Sequence, residues 1–213
     1  MFKAPCPSCG GELIFRSKTT VLCVCSYCRS NVIRHDVDLE LMGKQADLLP
    51  DMSPLQIGVT GIYKRKRFHV LGRQILGWPD GRWNEWYIMF SNGSDGWIAE
   101  AQGEFSVLLA PKERPGLPNL SSLKTKKTLK IDKHTYTLVD RKKVECLGSE
   151  GELPFKAVAG DKSLVLDYSD GKNRFASIEI GSSPDFNIFV GSFITLAKVR
   201  ATGLREFEGW GKP

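Results

Sequence analysis

Cysteine placement constrains this chain most tightly: five of its six cysteines, Cys6, Cys9, Cys23, Cys25 and Cys28, fall in the first 28 of 213 residues. Cys6 with Cys9 and Cys25 with Cys28 form two C-x2-C pairs separated by 15 residues, a spacing that recurs in structural zinc sites. Zinc takes four thiolates in a tetrahedron at about 2.3 Å, and each C-x2-C turn presents two sulfurs from one tight loop. Pro7 stiffens the first turn, and Gly10 and Gly11 follow where the chain reverses; the second turn, CSYCRS, has no glycine behind its last cysteine. Leu13 to Arg16 and Thr20 to Val24 read as a hairpin with Ser17, Lys18 and Thr19 at its tip, and Asn31 to His35 as a third strand. Residues 1–36 are therefore expected to form a zinc ribbon.

A pair of disulfides fits poorly, because the start MFKAPCPSCGG lacks the apolar core of a secretory signal. A redox C-x-x-C usually opens a helix beside a strand, and no such unit is visible. Cys23 offers a third thiol for two places; Cys25 and Cys28 are assigned because only they reproduce the first turn. Cys146 stands alone and reads as a free thiol. One structural zinc on Cys6, Cys9, Cys25 and Cys28 leaves no open coordination position, which argues for scaffold or docking rather than hydrolysis. Its loss is expected to unfold the ribbon and spare the rest.

Beyond the ribbon, Leu39, Met42, Ala46 and Leu49 recur at intervals of three and four, suggesting a short helix before Pro50, although Gly43 weakens it. Residues 37–53 are expected to be a helical or extended joint. From Leu55 the pattern turns to short β-rich runs: Ile57 to Tyr63, Phe68 to Leu76, Trp86 to Ser91, Gly96 to Ala101 and Phe105 to Ala110. The same grammar then repeats. Phe68 to Arg73 aligns with Tyr136 to Arg141 at an offset of 68, and Phe90-Ser-Asn-Gly93 with Tyr168-Ser-Asp-Gly171 at 78. Phe105, Val107 and Leu109 resemble Phe186, Ile188 and Val190. The expected fold is mostly β: the ribbon, then two tandem, duplicated small β-barrel or rolled-sheet modules at 54–111 and 121–200, and a tail at 201–213.

CPSCGGEL at Cys6, CSYCRSNVIR at Cys25, GKQADLLPDMSPLQIG at Gly43, WNEWY at Trp83 and GWIAEAQGEF at Gly96 together resemble the bacterial family known as domain of unknown function 4178, across nearly the whole chain. The resemblance implies a cytoplasmic bacterial protein without an established activity, in a family with some members linked to envelope-stress and polyamine gene clusters. The second module departs from the pattern, since DKSLV at Asp161 stands where the repeat would place WNEWY.

Four of the five tryptophans, Trp78, Trp83, Trp86 and Trp97, lie in the first module. In a strand, Trp83, Glu85 and Tyr87 share one face and Asn84, Trp86, Ile88 and Phe90 the other, so both faces carry aromatics. One is core; the other packs on the ribbon or sister module, or is a platform for a partner. Arg73, Arg82 and Glu85 read as ordinary surface pairing. Net charge is +1 over residues 1–50, 0 over 51–110 and +5 over 111–213, with +7 between Lys112 and Lys143. Lysines alternating along an edge strand account for that stretch, and binding of nucleic acid or an anionic membrane surface is the alternative. No nucleotide-binding loop or nucleophile elbow is present, and His35, His69 and His134 lie on separate elements. The expected function is a non-enzymatic scaffold or adaptor that binds a protein partner, with no membrane-spanning segment; an enzyme with a cleft between modules ranks third.

Overall fold

The computed structural model describes residues 1–36, 38–44, 48, 51–112, 120–123, 125–181 and 186–207. Strands dominate. In the ribbon, β1 (Phe2–Pro5) pairs with β2 (Glu12–Phe15), placing Phe2 opposite Phe15, and β3 (Leu22–Val24) pairs with β4 (Ser30–His35). The expected hairpin between β2 and β3 is not a ladder. The turn between them is held instead by a carboxylate from a distant strand.

The expected helix near Leu39 is also replaced. Asp38–Lys44 forms β5, antiparallel to β4, with a bulge where Asn31 faces Gly43 and Val32 faces Leu41. Met42 is the extra residue, and Gly43 takes a φ of 110°. The glycine that weakens a helix thus supplies the backbone freedom the bulge needs. Ala46 and Leu49 lie outside the described residues.

The remaining strands are β6 (Thr60–Tyr63), β7 (Lys66–Trp78), β8 (Gly81–Phe90), β9 (Asp95–Ala101), β10 (Glu104–Leu109), β11 (Thr128–Ile131), β12 (His134–Leu153), β13 (Lys162–Ser169), β14 (Arg174–Ile180) and β15 (Phe186–Ile194), with one helical turn, α1 (Leu120–Leu123), before β11. Each follows its predecessor antiparallel from β6 to β10 and again from β11 to β15. The two runs do not close separately. β10 pairs with β15, and β7 pairs with β12, so eight strands make a ring inside one thirteen-stranded sheet that also takes in β3, β4 and β5.

The ring closes because its strands carry apolar residues on both faces. Leu76, Tyr87, Trp97, Leu108, Val144 and Val165 meet in a central cluster, with Phe175 and Phe189 packed against it, so every strand of the ring contributes. Trp86, Ile88 and Phe90 face a second cluster with Leu55 and Val199, and Leu166, Tyr168 and Ile178 a third with Leu123 and Ile131. Both aromatic faces of β8 are therefore packing surfaces. Full burial of each large apolar side chain stabilises by roughly 1.5–3 kcal/mol. At the β10–β15 seam the backbones meet so closely that a Cβ on Gly191 would sit 1.7 Å from the Val107 carbonyl oxygen. Gly191→Ala is expected to cost about 1–3 kcal/mol of stability, read as a lower urea midpoint, through this overpacking.

The two runs share local detail. Lys64 and Arg65 in the first hairpin, and Asp132 and Lys133 in the second, all have positive φ. β7 bulges between Val70 and Gly72 and β12 between Leu138 and Asp140, at matching positions 68 apart. In the ladders Asn84, Trp86 and Ile88 correspond to Leu164, Leu166 and Tyr168 at an offset of 80, two residues from the 78 read in the sequence. That slip keeps every side chain on its face. Phe105 and Val107 correspond to Phe186 and Ile188, as the sequence alignment has them.

Candidate metal centre and its seat on the ring

Two knuckles build the centre. In the first, Cys6 N donates to Gly11 O at 2.7 Å and Gly10 N to Cys6 O at 2.9 Å; in the second, Cys25 N donates to Ser30 O and Arg29 N to Cys25 O, both at 2.9 Å. Gly10 has φ 74°, and Arg29, with φ 59°, takes the same left-handed place where the second turn has no glycine. The Sγ atoms of Cys6, Cys9, Cys25 and Cys28 all lie within 4.8 Å of one another, and Cys6–Cys28 and Cys9–Cys25 are each 3.8 Å apart. A tetrahedron of thiolates at about 2.3 Å from one ion has edges of about 3.8 Å. The donor set fits such an ion. Ser30 brings its hydroxyl to 3.2 Å from Cys28 Sγ and adds a backbone contact, and together these pull that thiol down to about 6, favouring the thiolate.

Cys23 lies apart from this set. It is buried in the ribbon core beside Leu13, Phe15 and Val32, and burial, with Glu152 nearby, pushes its thiol up to about 12. Cys146, a free thiol, is a buried residue of β12 opposite Leu76, pushed up by burial to about 11.

The ribbon is fixed to the ring by ladder, core and charge together. β3 pairs with the end of β12, Leu22 opposite Leu153 and Cys23 opposite Glu152. Leu22 and Ile33 enter the central cluster. Glu152, only 2% exposed, accepts bonds from Arg16 N at 2.7 Å, Ser17 N at 3.3 Å, Thr20 Oγ1 at 2.8 Å and Arg16 Nη1 at 3.2 Å. Tyr87 donates to Asp95 at 2.9 Å, and its oxygen lies 3.0 Å from Thr19 Oγ1. No sequence pattern pointed to Glu152; a lone acidic residue far along the chain gives no signal.

Arg73 and Glu85, expected on the surface, are interior. Arg73, 4% exposed, pairs with Asp51 and with Glu150 at 3.1 Å, and stacks over Trp86 at 4.8 Å. Arg205 from the C-terminal segment also reaches Asp51, at 2.8 Å, so residues expected as joint and tail cover the ring together. Glu85 accepts from Gln74 Nε2 at 2.6 Å and Trp83 Nε1 at 3.1 Å on the inner face of β8. Asp167 and Glu179 share that interior, accepting from Ser177 and Ser163 at 2.8 and 3.1 Å. Desolvation raises all three carboxyls, Asp167 to about 6 and Glu179 to about 7, both also repelled by Glu85.

Among the described residues, two of the surface grooves are rich in basic side chains. One, of 1410 Å³, has a floor of Trp78, Leu147, Leu164 and Ile180 and is rimmed by Arg82, Arg141, Lys143 and Lys162. The other, of 750 Å³, gathers Lys64, Lys112, Lys133, Lys172 and Arg174 beside Asp132 and Asp170. β11, the lysine-bearing edge, buries Leu129 and Ile131 and exposes Lys130, as its alternation predicts. His35 bonds Glu40 at 2.8 Å on the exposed ribbon face, and His69 lies opposite Thr60 in a ladder. Among the described residues no helix is long and apolar enough to cross a membrane.

Residues 56–196 match the family model described as Domain of unknown function (DUF4178). No curated protein and no solved structure matches the chain.

Proposed function

The chain belongs to the DUF4178 family, and from that premise we propose that it is a non-enzymatic, cytoplasmic bacterial scaffold or adaptor, in which a structural zinc ribbon sits on two tandem duplicated β modules that bind a protein partner. Zinc is the ion that suits four thiolates with no open position. The duplication is supported by matching strand order, matching positive-φ turns and matching bulges. Leu55 and Leu123, 68 residues apart, are both fully buried in the outer clusters. A scaffold rather than an enzyme is favoured by buried thiols at Cys23 and Cys146 held protonated at neutral pH.

The observation that carries the reading is the groove at Trp78, apolar on its floor and basic at its rim. Exposed apolar surface with a polar rim is the usual mark of a partner site. The second basic groove favours the alternative, binding of nucleic acid or an anionic surface. The two readings separate in one experiment on the full chain. A protein adaptor retains one stoichiometric partner from lysate at moderate salt, with weak heparin retention. An electrostatic binder holds heparin and DNA with an affinity that falls steeply as salt rises, and that result would displace the adaptor reading.

A further inference from the structure

Two hairpin turns in corresponding places of the two runs meet at one groove. Tyr63 pairs with Lys66 and Ile131 with His134, so Lys64-Arg65 and Asp132-Lys133 are two-residue loops 68 apart, and all four residues have positive φ, between 46° and 68°. Such a turn favours Asn-Gly or Asp-Gly, because most side chains at positive φ are strained. Lysine stands here where glycine costs less, and strain of this kind collects at functional positions. Lys64 and Lys133 both line the 750 Å³ groove, which Lys112 completes from beyond the end of β10 and Lys172 and Arg174 from the turn between β13 and β14.

Two carboxylates stand among these cations, and both are already engaged. Asp132 accepts from Lys112 N at 3.3 Å. Asp170 accepts from Lys172 N at 2.9 Å and Arg174 N at 3.0 Å, with Arg174 Nε 3.7 Å from its other oxygen, and these contacts hold its carboxyl below the usual range. Lys64, Lys112, Lys133 and Lys172 are exposed, and no ion pair among the described residues reaches them. A concave site lined by an excess of one charge focuses its field on a ligand of the opposite sign.

We infer that this groove binds the phosphate chain of a small polyphosphate, such as inorganic tripolyphosphate or the triphosphate of a nucleotide. The ligand must carry several negative charges close together, because the cations converge from four separate segments of the chain rather than lying along one strand. Lysine meets phosphate as a point charge, and the Arg174 guanidinium can add paired bonds. Size agrees, since 750 Å³ falls within the roughly 300–1,000 Å³ of small-molecule sites. A nucleic-acid strand fits less well: the described lining holds no Trp or Phe, and Tyr136 is buried, so bases find no platform to stack on. The inference goes beyond the adaptor reading and does not rest on it.

The test is isothermal titration calorimetry of the full chain with tripolyphosphate, beside ATP, inorganic phosphate and an oligothymidylate. Tripolyphosphate should bind at one site, more tightly than inorganic phosphate, and the affinity should fall as salt rises. Joint Lys133→Glu and Lys172→Glu replacement should weaken it about tenfold or more, and Lys18→Glu, exposed in the ribbon turn, should leave it unchanged. ATP binding equal to tripolyphosphate shows that the phosphate chain alone is read, and tighter ATP binding points to a nucleotide; either supports the inference. Should the double variant fail to fold, Lys133→Gly carries the comparison, because it gives the turn its favoured Asp-Gly pair and so keeps the fold while removing a groove cation. No binding of tripolyphosphate, equal binding by both groove variants, or equal weakening by Lys18→Glu overturns the inference. Tighter binding of the oligothymidylate than of tripolyphosphate also overturns it, in favour of nucleic acid. Capture of a protein partner from lysate is a separate result, and these outcomes leave it untouched.

Discussion

Replacing Glu152 with Ala lowers the stability of the chain by about 3–5 kcal/mol, because it removes one partner from a buried charged network rather than the whole network. Four donors converge on that carboxylate, two of them backbone N–H groups of Arg16 and Ser17 in the ribbon turn. Without it those N–H groups and the Thr20 hydroxyl are left in a site that Glu152 itself shares at 2% exposure. The turn between β2 and β3 then has no ladder to hold it, since those strands do not pair. For a chain of this length the loss corresponds to a fall of about 10 °C in thermal midpoint. Glu152→Gln keeps one acceptor oxygen and should lose less. A Glu152→Ala chain that melts at the wild-type temperature would contradict the latch.

Glu179→Gln acts in the opposite direction, with a gain that grows as pH rises above about 4. Glu179, Asp167 and Glu85 all have carboxyls raised by burial inside the ring, with Lys142, itself paired to Asp140, a basic group that acts on Asp167 in the other direction. A raised acid binds its proton more tightly in the folded chain than in the unfolded one. Its stabilising contribution is therefore complete below about pH 4, the unfolded value, and is lost as pH rises through about 6 for Asp167 and about 7 for Glu179. The amide never ionises and keeps the bond from Ser163. At pH 8 the variant should exceed wild type by about 2 kcal/mol, and at about pH 4 the two should match. Urea midpoints at both pH values check this. An equal gain at both, or none at pH 8, would show that Glu179 is not held protonated by the fold.

The metal centre was legible because its information is local: two turns of fixed spacing bring the four sulfurs together whatever the rest of the chain does. Most ring strands were legible for the same reason, as alternating runs between glycine and asparagine turns such as Asn92–Gly93. The closure was not, because one ring and two separate modules share the same strands and differ only in the pairings of β10 with β15 and β7 with β12. What decides it is that Leu76, Val144 and Val165 give β7, β12 and β13 an apolar face that meets the cluster of Tyr87, Trp97 and Leu108. Glu85 and Arg73 misled for a related reason. A charged residue in a strand reads as solvent-facing, and only the fold reveals that Gln74, Trp83 and Asp51 meet them in the interior. The segment at Leu39 failed through period: apolar residues three and four apart fit a helix, but a bulge at Met42 reproduces the same spacing in a strand.

Loss of the ion should now disturb more than the ribbon, because Leu22 and Ile33 belong to the central cluster and β3 extends the ladder of β12. Whether the four thiolates close around one zinc, as proposed, decides how firmly the ribbon seats on the ring. Native mass spectrometry of the full chain measures that directly. The account predicts one zinc per chain with the thiol protons of Cys6, Cys9, Cys25 and Cys28 displaced, kept in Cys23→Ser and lost in Cys28→Ser. A metal-free wild type, or full zinc in Cys28→Ser, would contradict it.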